Sequence, residues 1–217
     1  ALALAAVGGL LGFLYLMSFP LEAYSSMRER TEALEARESP EPIPGDAFYI
    51  EGPTERARQW QTKREQLLDG SVQTMTVTPG EVNAWFETYF RSVPVSADEE
   101  NRGLTLIPEA PNLGLGEDGE IYLNLPGEIR GYGLDGNYVL SAQVRFASGA
   151  PADLLVDRLQ VGGAAVPLPG LLGARVVSTI IDGFSSAEEY ALLSEAWRRV
   201  ESVEVVNGAL VLTLTTP

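Results

Sequence analysis

The chain opens on an unbroken apolar run. Residues 1–21, ALALAAVGGLLGFLYLMSFPL, contain no charged side chain, and about 20 apolar residues suffice to cross the hydrocarbon layer as a helix. The pattern predicts a transmembrane anchor over residues 1–24. Tyr15, Phe19 and Tyr24 gather near one boundary like an aromatic belt, and Pro20 marks the exit. A secretory signal peptide is the alternative, but its apolar region is usually shorter. Ala5, Gly8, Gly9 and Gly12 place small residues four apart along the run. Such a face lets a second membrane helix approach closely. Ordinary glycine and alanine content of a membrane helix is the plainer reading.

Beyond the run, charge takes over. Residues 25–37 are highly charged and helix-compatible, which predicts a short stalk. Residues 39–45, SPEPIPG, carry three prolines and read as an extended linker. The chain thus divides into an anchor (1–24), a stalk and linker (25–52) and one soluble α+β domain (53–217).

Within that domain the period changes twice. A helix is predicted over 53–69, stopped by Gly70, with Trp60, Lys63 and Leu67 near one face. Residues 71–77 alternate as a strand. Thr78-Pro79-Gly80-Glu81 then forms a helix start, with a capping hydroxyl, a proline suited to the first turn and a glutamate that closes a capping box. The helix that follows carries Val82, Trp85, Phe86, Tyr89 and Phe90, an aromatic stripe that is either core or a ligand-facing wall.

From residue 104 the period is two. Leu104 and Leu106, then Ile121, Leu123 and Leu125, then Leu140, Ala142, Val144 and Phe146 point one way. Tyr122, Asn124, Ser141, Gln143 and Arg145 point the other. Asp118-Gly119, Asp135-Gly136 and Asn207-Gly208 are turn signals. With a strand at 154–161, these runs predict a curved antiparallel meander with one apolar face. An apolar helix over 171–184 follows VPLPG. A second helix is capped by Ser186 and runs to Arg199, with Tyr190, Leu193 and Trp197 inward, and a hairpin closes the chain. The fold class expected is α+β, an N-terminal transmembrane helix followed by a curved antiparallel β-meander packed with several helices.

Composition narrows the chemistry. The net charge is −15, which repels phosphate backbones and argues against nucleic acid as a partner. Only one of the 15 basic residues, Lys63, is a lysine, a skew that reads as codon bias. Neither cysteine nor histidine occurs. Thiol nucleophiles, imidazole bases, a Ser-His-Asp triad and zinc, haem or iron–sulfur sites are therefore removed. Carboxylate chemistry survives, but Asp98-Glu99-Glu100 and Glu117-Asp118-Gly119-Glu120 read as solvated loop and turn, without the EF-hand spacing. No catalytic residue, metal ligand or cofactor is nominated.

The order of segments, with TVTPGEVNAWF at 76–86 and VPLPGLLG at 166–173, resembles the YpmS-like group of membrane-anchored extracytoplasmic proteins over residues 54–215. That resemblance implies a single-pass protein of the inner membrane with its soluble domain on the periplasmic side, and it makes an apolar ligand plausible. It carries over no catalytic residue.

The remaining candidate surface is the apolar helix, through Leu171, Leu172, Val176, Val177, Ile180, Ile181 and Phe184. It fills the sheet's concavity as core, lines a groove for a lipid tail, or docks on a partner subunit. The first expectation for function is a non-catalytic accessory or scaffold subunit of a larger membrane protein complex. The alternative is a membrane-anchored module that binds lipid or another apolar ligand. Partners are accordingly other membrane protein subunits and membrane lipid.

Overall fold

The computed structural model describes residues 2–37, 47–55, 58–96, 103, 105–116, 119–131, 135–147, 150–167, 169–185 and 190–215. The linker at 39–45, Leu104, the acidic run at 98–100, Glu117, Asp118 and the Ser186 cap lie outside the described residues.

The apolar run forms helix α1, Leu2–Met17, of 16 residues. At roughly 1.5 Å per residue that is about 24 Å, against a hydrocarbon layer about 30 Å thick. Among the described residues, no helix is long and apolar enough to cross a membrane. The expected transmembrane helix is therefore corrected, and with it the single-pass, inner-membrane, periplasmic placement. The physical reason lies at residues 17–19. The N–H of Gly163 donates to the carbonyl of Phe19 at 2.8 Å. Gly162 has φ 54, and a Cβ there would strike the carbonyls of Met17 and Phe19. The end of the apolar run is thus spent on docking against the sheet, where Met17, Ile129 and Ala164 form a small buried cluster.

The segment expected as a stalk folds back instead. Strand β1, Glu22–Tyr24, pairs in parallel with β2, Phe48–Ile50, and helix α2, Met27–Glu35, lies between them in sequence. The Tyr24 hydroxyl donates to Glu22, and with the Arg37 guanidinium beside it holds the Glu22 carboxyl below its ordinary range. Tyr24, Phe48 and Ile50 bury themselves against Tyr122.

The remaining elements follow the predicted order. Helix α3 is Gln59–Asp69, ended by Gly70 at φ 70. Strand β3 is Thr74–Val77, and α4, Pro79–Tyr89, has the full Thr78–Glu81 capping box. Strands β4 (Val95–Ser96), β5 (Thr105–Pro108), β6 (Asn112–Leu115), β7 (Ile121–Arg130), β8 (Gly136–Ala147), β9 (Ala150–Val161) and β10 (Ala164–Ala165) form a seven-stranded antiparallel sheet. In it β5 and β6 share one lane, flanking successive halves of β7. Register irregularities at Gln143/Val144 and Phe146/Ala147 interrupt the β8–β9 ladder, and such bulges bend a strand. Helices α5, Pro169–Ser185, and α6, Tyr190–Trp197, follow. The terminal hairpin, β11 (Val200–Val206) and β12 (Ala209–Leu214), turns on Asn207 (φ 51) and Gly208 (φ 73). Those signs suit a type I′ turn. The hairpin stands apart from the meander, however, and recruits β3 into a separate three-stranded sheet, β11-β12-β3.

The α+β class and the antiparallel sheet stand. One expectation about its faces does not: Tyr122, Asn124 and Ser141 are buried although they point away from the main core. The β1–α2–β2 unit covers them. Gly52 and Gly114 permit this, since a Cβ on either would collide with a carbonyl of the crossing segment, Leu113 and Ile50 respectively. Asparagine amides stitch the crossing. Asn112 both donates to and accepts from the backbone of Gly52, at 2.8 and 2.9 Å. Asn124 donates to Ile50 and accepts from Ser141. Asn83 bonds Pro53 and both backbone groups of Leu113.

Candidate functional site

A cavity of about 410 Å³ lies between the two sheets and the helices that bridge them. The large sheet contributes Leu113, Ile121, Leu123, Val144, Phe146 and Leu154. The small sheet contributes Met75, Val77, Leu210 and Leu212 from the opposite side. The alternation that makes these runs strands also aims one face of each at this space.

Helices close the rest. Trp60, Lys63, Arg64 and Leu67 of α3 are spaced i, i+3, i+4, i+7 and so share one face; all four line the cavity. From α4 come Glu81, Val82, Trp85 and Phe86, and from α6 Leu193 and Trp197. The three tryptophans of the chain thus all face this space. Phe184 does not line it, but stacks on Trp85 at 4.6 Å between centroids and fixes the wall from behind.

Of the apolar helix singled out from sequence, Val177, Ile180 and Ile181 line the cavity. Val176 and Phe184 are buried in the adjoining core instead. Leu171 and Leu172 lie on α5, with side chains outside the described parts. Ile181 is 42% exposed and marks where the cavity meets the surface. The aromatic stripe of α4 divides in the same way. Val82, Trp85 and Phe86 are wall, whereas Tyr89 packs edge-on against Trp60 and Phe90 against Phe184. Gly8, Gly9 and Gly12 are far from this site. They are exposed on α1, and no atom lies within 4 Å of a Cβ built on any of them. Ala5 lies on the same helix, its side chain outside the described parts.

One polar group interrupts the apolar wall. Glu81 is 1% exposed, and its Oε2 accepts from Lys63 Nζ at 2.6 Å and from the Thr78 N–H at 2.9 Å. Its other oxygen, Oε1, is buried and accepts no hydrogen bond. Arg64 beside it donates to the Tyr89 hydroxyl at 3.1 Å. The sequence reads Glu81 as a capping residue and places Lys63 on the helix face of Trp60 and Leu67, but does not join the two. The available signal was the helical spacing, which sets two cations between Trp60 and Leu67 on a face that is otherwise apolar.

A second depression, bounded by Tyr24, Pro53, Asn83 and Asn112, is polar and carries Glu29, Glu51, Glu87 and Glu109. Glu29 is already bonded to Ser25 and Glu87 to Thr54. Among the described residues no group of acids is arranged to hold a metal ion.

Fold and site together define an α+β module with an apolar cavity, open to the surface beside Ile181, lined by two antiparallel sheets and the helices next to them. Compared with known proteins, the chain matches no family model and no curated protein.

Proposed function

We propose that this protein is a non-catalytic binding module that holds an elongated apolar ligand, a lipid acyl chain, between its two sheets. The cavity carries the reading. Its volume of about 410 Å³ falls within the roughly 300–1,000 Å³ of small-molecule sites. Its walls are aliphatic and aromatic almost throughout. Left empty, such walls forfeit dispersion contacts, and water inside them finds few partners. An acyl chain supplies both contact and exclusion of water. A scaffold subunit calls for a filled interior and contiguous apolar patches outside. The interior here is open; outside, Leu11 and Tyr15 are exposed one turn apart on α1, whereas Leu34, Val93, Leu155, Leu192 and Val206 lie on separate segments.

The test uses N-phenyl-naphthylamine, a neutral probe that brightens in apolar surroundings. It should bind saturably at one site per chain and draw energy from the tryptophans. The double substitution Val177→Phe/Ile181→Phe, which adds bulk where the cavity opens, should weaken binding about tenfold or more, the equivalent of roughly 1.4 kcal/mol. Equal binding by the folded variant, or non-saturable binding by the parent, contradicts the proposal.

A further inference from the structure

The cavity wall is apolar except where α3 meets α4, and that side fixes the charge of the ligand's head. Among the described residues that line the cavity, only Lys63, Arg64 and Glu81 are charged. Two cations against one anion leave the lining one positive charge in excess, within a chain whose net charge is −15.

The three groups differ in what they offer an occupant. Glu81 is 1% exposed, and its Oε2 accepts from the Lys63 ammonium at 2.6 Å and from the Thr78 N–H at 2.9 Å. Oε1 is shut in as well, so the carboxylate is covered by its own neighbours. Lys63, by contrast, keeps 29% of its side chain exposed. Its ammonium has three N–H donors, and Oε2 takes one. Arg64 follows it on the same wall, where the Tyr89 hydroxyl accepts from Nη1 at 3.1 Å and fixes where the guanidinium lies.

The polar surface that an occupant meets is therefore cationic. A head placed there accepts hydrogen bonds and carries negative charge. A carboxylate does both, and a charge-assisted hydrogen bond is roughly twice as strong as a neutral one. Its single charge equals the excess on the lining, and the Lys63–Glu81 pair stays in place. Because Lys63 is partly exposed, the head keeps some of its water and escapes the full desolvation cost of a buried ion pair. An ammonium head would add a third cation beside two. We infer that the cavity takes a long-chain carboxylate, a free fatty acid, with its head accepting from the Lys63 ammonium beside Arg64. This rests on the cavity being a ligand site, and it names the ligand's head.

The test compares laurate, methyl laurate and dodecylamine, each competing with bound N-phenyl-naphthylamine. At about pH 8 the acid and the amine are both ionised. Laurate should compete about tenfold more strongly than its ester, as a charge-assisted hydrogen bond implies, and the amine should be the weakest of the three. Lys63→Met combined with Glu81→Gln removes the ammonium without stranding a buried carboxylate, and glutamine keeps the capping box. The laurate-to-ester ratio should fall towards unity in this variant. Arg64→Met leaves the Lys63–Glu81 pair intact, should lower the same ratio, and serves where the double variant does not fold. Equal competition by laurate and its ester, or a ratio that neither folded variant changes, overturns the head assignment while leaving the cavity intact. Failure of the naphthylamine itself to bind the parent chain would instead remove the underlying site.

Discussion

Asn83 shows how much one buried amide can do. It is 1% exposed, donates to the carbonyls of Pro53 and Leu113, and accepts the Leu113 N–H at 2.7 Å. Each of those backbone groups would be left without a partner in Asn83→Ala. At about 1–3 kcal/mol for each buried group orphaned, and allowing for some relaxation, the variant should lose roughly 2–4 kcal/mol of stability. Urea denaturation measures this directly, and a loss below about 0.5 kcal/mol would mean the amide network is ornamental. Nothing in the sequence marks Asn83, which sits in a helix between Val82 and Ala84 and reads as an exposed polar position. Asn124 and Ser141 mislead in the same way. Their alternation assigns them to the outer face correctly, but alternation cannot say that residues 22–50 will come back and cover that face. Glu81 and Lys63 were legible in part. Spacing placed Lys63 on the face of Trp60 and Leu67, while the ion pair joining it to Glu81 depends on how two helices meet.

Elements were most legible where the signal was local. The Thr78–Glu81 box, the Gly70 stop and the Asn207-Gly208 turn are each completed within a few residues, and each stands where the sequence placed it. The capping box matters for function as well as for helix formation, since it fixes the carboxylate that interrupts the cavity wall. Thr78→Ala removes the acceptor for the Glu81 N–H and should cost about 1 kcal/mol, the usual range for a lost cap. Calorimetry reads the loss, and a change below about 0.3 kcal/mol would mean that the cap contributes little. Non-local pairings were not legible. β3 reads equally well as part of a meander or as the edge of the terminal hairpin, and only the long-range register Leu210↔Val77 to Thr213↔Thr74 decides it. The N-terminal run misled for a related reason. Hydropathy counts apolar residues, but the helix ends at Met17, which packs against Ile129 and Ala164.

At the scale of the whole molecule, both sheets and the helices between them turn apolar side chains inwards into one continuous core, and the cavity is the space left among them. The large sheet alone would be closed by α5, as the apolar helix suggests. The separate β11-β12-β3 sheet moves the opposite wall outwards, and α3, α4 and α6 fill the sides rather than the middle. Sequence could supply each apolar face but not the gap between them, since a volume is a property of the assembled layers.

The central claim is that this gap is occupied by an acyl chain, and the tryptophans offer the most direct measurement. Trp60, Trp85 and Trp197 all line the cavity, so a palmityl alcohol brominated along its chain should quench the intrinsic fluorescence saturably, at one ligand per chain. Unbrominated palmityl alcohol should reverse the quenching. Quenching that rises linearly without saturation, or a folded protein whose fluorescence the ligand leaves untouched, would contradict the account.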